Sequence, residues 1–231
     1  MTRPIRRTTT GLLGLGAAAV AALTAVALVG TPSHAQGSRT LNGTFKLAPG
    51  KYSGGKASGT YFRMITGSTG GKRQYLDNPD SRARDKSYTL GRPGREGGLA
   101  TGRFQSHPNP PFDSKGNARA NRIIRPEPYT AIRFSVATLR KDPQTNRTSA
   151  VTRATLNGRR ITLRVPGFTA EWNGQYFNQG APKPDGSGRA ATGTYNPKTK
   201  RFVITWTSKI SGGPFNGFSG FWHLEGTFKP R

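Results

Sequence analysis

From residue 36 onward the sequence is cut into short runs in which apolar and polar side chains alternate, separated by glycine, proline and asparagine. The period is two, that of a strand with one buried face, and a period of 3.6 is almost absent. Strands are predicted at Asn42–Leu47, Ala57–Ile65, Thr130–Leu139, Ala150–Leu156, Arg159–Val165, Arg189–Tyr195, Arg201–Ile210 and Gly220–Phe228, with weaker candidates at Ser87–Leu90 and Leu99–Gln105. This pattern implies an all-β fold, a single antiparallel β-sandwich or β-barrel of roughly 8–10 strands.

Two hairpins are readable residue by residue. Asn157-Gly158 is a two-residue turn signal, since both residues tolerate positive φ. It would pair Leu156 with Arg159 and Ala154 with Ile161, giving a dry face of Ala154, Leu156, Ile161, Leu163 and Val165. The wet face then carries Arg153, Arg160 and Arg164 beside Thr155 and Thr162. A slip of one residue would bury three arginines, so which face goes inward is strongly specified. The second hairpin turns at Pro197–Lys200 and pairs Tyr195 with Phe202, Gly193 with Ile204 and Ala191 with Trp206, large against small. A Gly-Thr-aromatic triplet recurs at Gly43, Gly59, Gly193 and Gly226 with irregular spacing. The first and last copies are expected to pair, Phe45 beside Phe228, and to close the sheet.

Residues 66–128 depart from the pattern, with many glycines, prolines and arginines and few apolar side chains. They read as a long loop-rich insertion over the sheet with one or two short strands; disorder is the other reading.

The first 35 residues read as a secretory signal. Arg3, Arg6 and Arg7 precede an uncharged Ala/Leu/Val run from Gly11 to Gly30, and Ser33-His34-Ala35 is a small-x-small site. Cleavage is expected after Ala35, leaving a secreted, extracellular domain at 36–231. The rival reading is an uncleaved anchor, since about 20 apolar residues span a bilayer. A Sec-type route fits best; Arg6-Arg7 also permits a twin-arginine route. No cysteine follows the apolar run, which excludes a lipoprotein.

Removing 35 of the 231 residues leaves 196, enough for a core that needs no disulfide. The chain has no cysteine, so thiol nucleophiles, thiolate metal sites and redox chemistry are excluded. Of the 36 Lys and Arg, three fall in the leader; the remaining 33 against 10 acids give a formal charge of +23. A field of that sign draws polyanions.

Catalytic patterns are sparse. There is no Gly-x-Ser-x-Gly elbow and no phosphate-binding glycine loop, and no cofactor is implied. The arginines between Asp77, Asp80 and Asp85 argue against calcium. His223 shares a strand face with Phe221 and Glu225, but a third metal ligand is missing; His107 precedes Pro108 in a loop. Glu171 and Glu225 are the one carboxylate pair worth weighing for glycan hydrolysis. The run Glu171–Gln179 sets Trp172, Tyr176 and Phe177 among amides including Asn178, which suits sugar or base stacking. The same run also reads as a core strand with a polar turn at Asn173-Gly174.

Gly97-Gly98-Leu99, Pro111-Phe112-Asp113, Tyr176–Gly180, Gly213–Phe218 and Trp222–Phe228 resemble segments of a group of uncharacterised secreted proteins of high-GC Gram-positive bacteria. That resemblance implies export and carries no activity. The residues point first to non-enzymatic binding of an anionic polymer at the cell envelope or beyond it, whether wall polymer, acidic polysaccharide or DNA. Alternatives are a carbohydrate-binding module using Trp172 and Tyr176, a hydrolase using Glu171 and Glu225, and a barrel holding a small apolar ligand.

Overall fold

The computed structural model describes residues 37–231, so the expected leader and the expected cleavage after Ala35 lie outside the described residues. The regular structure is nearly all β-strand, and no α-helix occurs among the described residues. In chain order the strands are β1 (Arg39–Thr40), β2 (Gly43–Leu47), β3 (Lys51–Ser53), β4 (Lys56–Ser58), β5 (Tyr61–Thr69), β6 (Lys72–Leu76), β7 (Thr89–Pro93), β8 (Gly98–Ala100) and β9 (Ile124–Pro126). There follow β10 (Ser135–Thr138), β11 (Arg153–Asn157), β12 (Arg160–Arg164), β13 (Phe168–Trp172), β14 (Gln175–Asn178), β15 (Ala191–Tyr195), β16 (Arg201–Lys209) and β17 (Ser219–Pro230).

Twelve strands form one antiparallel sheet curled into a half-barrel, in the order β1-β11-β12-β15-β16-β17-β5-β7-β9. The long strand β17 organises it. One edge of β17 pairs with β16 from Ser219 to Thr227, and its other edge is divided between β5 and β2. Phe228 lies opposite Phe45, as the triplets imply, with ring centroids 4.9 Å apart. Their pairing does not close the sheet. β2 branches off the far half of β17 and carries β8, while β1 and β9 remain at the ends of the path.

A three-stranded sheet, β10-β13-β14, packs its apolar side chains into the same core. Trp222, fully buried, is boxed by Trp206, Phe62 and Phe168, with centroids 6.0, 4.7 and 4.9 Å away. All three indoles are inside and each N–H finds an acceptor, as a buried donor must. Trp172 donates to the Tyr129 carbonyl, Trp206 to the Gln179 carbonyl and Trp222 to Gln179 Oε1. The cavity beside them, lined by Phe62, Phe134, Trp172 and Phe215 among others, measures about 30 Å³. That is far below the ~150 Å³ that holds a small aromatic molecule, so this cavity does not accommodate one.

The register corrects the first hairpin. Leu156 faces Ile161 and Ala154 faces Leu163, while Asn157 pairs with Arg160, so the turn is Gly158-Arg159. Only Gly158 takes a positive φ, 57°. Moving the turn one residue on sets apolar side chains directly opposite one another and leaves the inward set unchanged. The second hairpin pairs Tyr195 with Phe202 and Gly193 with Ile204, as expected. Two-residue turns with both φ values positive occur instead at Gly54-Gly55, Gly70-Gly71 and Asn173-Gly174, the last, at 50° and 69°, joining β13 to β14.

The strand predicted over Ala57–Ile65 is broken at Gly59. Its φ is 71°, and a Cβ there would lie 2.1 Å from the Pro49 carbonyl oxygen. Residues 66–128 hold four strands, β6 to β9, rather than one or two. Buried polar side chains fasten them: Asn78 donates to Thr89 and the Pro128 carbonyl, and Glu127 accepts from Arg82 and the Leu90 N–H. Gln105 bridges Ala100, Gly98 and Glu96.

Candidate functional site

The outward face of the half-barrel carries the most continuous set of polar side chains. Strand alternation turns Ala154, Leu156, Ile161 and Leu163 inward, and the residues between them outward. Following Cα partners from strand to strand, Thr40 lies beside Thr155, then Thr162, Thr192, Thr205, His223 and Tyr61. This row crosses seven strands, a path of about 29 Å at the usual ~4.8 Å spacing. Neighbouring outward positions add cations. Arg160 leads one flanking row, through Thr194 and Val203 to Glu225. Arg153 and Arg164 pair directly on the other side, and all three arginines are exposed. Arg159, Arg160, Thr192, Thr194 and Thr205 line a shallow depression of about 470 Å³.

The far end of the row is aromatic. His223 stacks on Tyr61 at 4.5 Å and 6°, and Tyr61 meets the edge of Tyr88 at 5.1 Å. Tyr52 lies 5.5 Å from Tyr88, and Phe221 6.3 Å from Tyr61. The Arg63 guanidinium lies 3.3 Å from the centre of Tyr75 and 4.1 Å from that of Tyr88. These rings are half-buried, each with a rim in solvent. Burial, with the neighbouring Tyr88 as a further contribution, pushes the Tyr61 phenol above its ordinary range, so it remains a neutral donor.

The sequence-derived candidates divide. Arg153, Arg160 and Arg164 come together on this face. Trp172 does not: its indole is 9% exposed and bonded inside, so it offers no stacking surface to a ligand from solvent. Asn178 is buried too, its side chain bonding the Pro166 carbonyl and the Gly180 N–H. Tyr176 is partly exposed but stands in a separate cleft beside His107. Glu171 is fully buried against His107, whereas Glu225 accepts from the Gly59 N–H and Arg201. The two carboxylates share no hydrogen-bond partner.

The tyrosine cluster escaped the sequence reading. Its signal was the outward parity of Phe221 and His223, opposite Trp222 and Leu224; the tyrosines join them from β3, β5, β6 and the position just before β7. Among the described residues five arginines and no lysine lie within 4 Å of a carboxylate, so most cations are unpaired. No group of three His, Asp or Glu suited to a metal occurs among them, and no helix is long and apolar enough to cross a membrane.

Comparison with protein-family models, curated proteins and solved structures returned no match for this chain.

Proposed function

We propose that the protein is exported and binds an extended anionic polymer at or beyond the cell envelope, an acidic glycan above all, along the outward face of its large sheet. One observation carries the reading: a row of five threonines on successive strands, flanked by Arg153, Arg160 and Arg164 and continued through His223 and Tyr61 into the tyrosine cluster. Arginines meet carboxylates or phosphates through paired N–H donors. Threonine hydroxyls both donate and accept, which matches sugar hydroxyls. Aromatic rims supply apolar contact for the C–H faces of sugar rings. The aromatic-module alternative is thereby absorbed, with Tyr52, Tyr61, Tyr88 and Phe221 in place of Trp172.

Such binding releases counterions and so weakens with salt. Retention on immobilised polygalacturonate is expected to fall steeply as salt rises. The triple variant R153Q/R160Q/R164Q is expected to lose about fourfold to a hundredfold in affinity, at a few tenths to 1 kcal/mol per exposed cation. Retention equal at low and high salt, or an unaffected triple variant, defeats the reading.

A further inference from the structure

The long connection from β8 to β9 brings His107 against the small sheet, where its Nδ1 lies 2.5 Å from Glu171 Oε1. Glu171 has no exposed surface, and its other oxygen lies 3.5 Å from Ser135 Oγ. Withdrawing a carboxylate from water costs several kcal/mol unless a partner compensates. In a chain with 33 cations outside its leader, that partner is an imidazole rather than an arginine. Nδ1–H donating to Glu171 fixes the ring and leaves Nε2 as its free nitrogen. No protein group bonds Nε2 among the described residues.

His107 stands on the wall between two clefts. One, of about 540 Å³, is also lined by Asn109, Arg140, Lys141, Asn146 and Tyr176. The other, of about 210 Å³, is lined by Arg95, Arg119 and Arg122, the last of which is paired with Glu96. Asp142, the one acid on either wall, is consumed by its own turn, accepting from the Gln144 N–H and Thr145 Oγ1. The clefts therefore suit an anionic substrate. The Tyr176 and His107 ring centroids are 5.8 Å apart, and Phe112 braces Tyr176 from its other side at 5.1 Å. Burial and the Glu171 carboxylate push the Tyr176 phenol above its usual range, which keeps its proton in place for donation.

We propose that His107, Tyr176 and the cationic walls form a proton-transfer site that cleaves 4-linked uronate polysaccharides by β-elimination. The wall cations neutralise the uronate carboxylate and so acidify the C5–H bond beside it. His107 Nε2 takes the C5 proton. The C4–O4 bond breaks with its electron pair going to O4, a C4=C5 double bond forms, and the Tyr176 hydroxyl protonates O4. The proton on His107 then returns to the Tyr176 phenolate through water, so nothing is consumed but the polymer link. Glu171 is a positioning residue, holding the imidazole in one tautomer as the buried acid of a catalytic triad does. The substrate class rests on the acidic-glycan reading of the outer sheet face; the site is separate from it.

The test incubates the purified protein with polygalacturonate, alginate or hyaluronan and follows ultraviolet absorbance of the new conjugated double bond. Absorbance is expected to rise with at least one polymer. H107A and Y176F are expected to lower kcat by about 10²–10⁴-fold, with circular dichroism and retention on the immobilised polymer unchanged. E171Q should lower kcat, leave KM in place and displace the pH–rate profile. Retention without new absorbance on all three polymers overturns the elimination site and leaves the outer-face reading standing. Full turnover in H107A and Y176F assigns any elimination elsewhere and overturns it as well. Absence of both retention and product overturns both proposals.

Discussion

His223 shows how one side chain joins local chemistry to stability. Its Nδ1–H donates to the Gly59 carbonyl at 2.8 Å and its ring lies flat on Tyr61. Burial holds its pKa below the ordinary 6.5, against the opposing pull of that carbonyl and of Glu225. In the unfolded chain the imidazole takes a proton near pH 6.5. The folded protein resists that proton, so the unfolded state binds more protons in this range and stability falls as pH falls. The contribution is complete above the unfolded pKa, is lost as pH drops toward the depressed folded value, and changes no further below it. Urea midpoints taken from about pH 7.5 down to about pH 5.5 are expected to decline more in the wild type than in His223→Gln. Parallel declines in the two proteins rule the mechanism out. Other groups titrate in both, so the difference isolates this ring.

At the scale of elements, β17 bears the most structure because both its edges are used along their length. Gly220 marks a tight place where the neighbours are side chains of the core. A Cβ there would lie 2.1 Å from Gln179 Oε1 and 2.8 Å from the Phe62 ring. The same Gln179 oxygen accepts the Trp222 indole N–H at 3.4 Å. Gly220→Ala must therefore push a buried amide off its donor and crowd a packed ring. Overpacking of this kind costs about 1–3 kcal/mol, or roughly 3–10 °C in Tm for a domain of this length. Thermal unfolding followed by tryptophan fluorescence measures it, and a wild-type Tm would show that the core yields more freely than its packing implies. The sequence announced β2, β11, β12, β15, β16 and β17 because each alternates cleanly between a dry and a wet face. It announced the Phe45–Phe228 pairing because both ends of the domain repeat one triplet. The breaks were hidden. Gly59 kinks the chain for a reason visible only in space, the Pro49 carbonyl against its α-carbon. Residues 66–128 looked featureless because Asn78, Gln105 and Glu127, rather than apolar side chains, hold them in place. Glu171 and His107 are 64 residues apart and belong to no motif, so no pattern in the chain foretold their contact. The reading of Trp172 as a contact residue failed for the converse reason: an aromatic among amides looks alike whether its ring faces a ligand or the core.

At the scale of the whole domain, a formal charge of +23 over residues 36–231 is the dominant field, and five paired arginines do little to cancel it. A net charge of that size repels itself and destabilises the compact state, while it draws polyanions from a distance. Salt screens both effects, so folding stability and polymer affinity are expected to move in opposite directions as salt is added. The face carrying Arg153, Arg160 and Arg164 links the two. Replacing these three arginines by glutamate adds three acids as it removes three cations, taking the charge from +23 to +17. The side chains are exposed and make no ion pair, so their loss breaks no packing. The reversed protein is expected to be more stable than the wild type at low salt, with the gap closing as salt rises. Its polymer affinity is expected to drop, and the log–log salt slope to shrink by up to about one for each arginine that touches the polymer. Urea titrations and polyuronate binding run over one salt series read both quantities. A variant less stable than the wild type at low salt would mean these arginines hold the sheet together, and their clustering on one face would then reflect the demands of folding rather than of a partner.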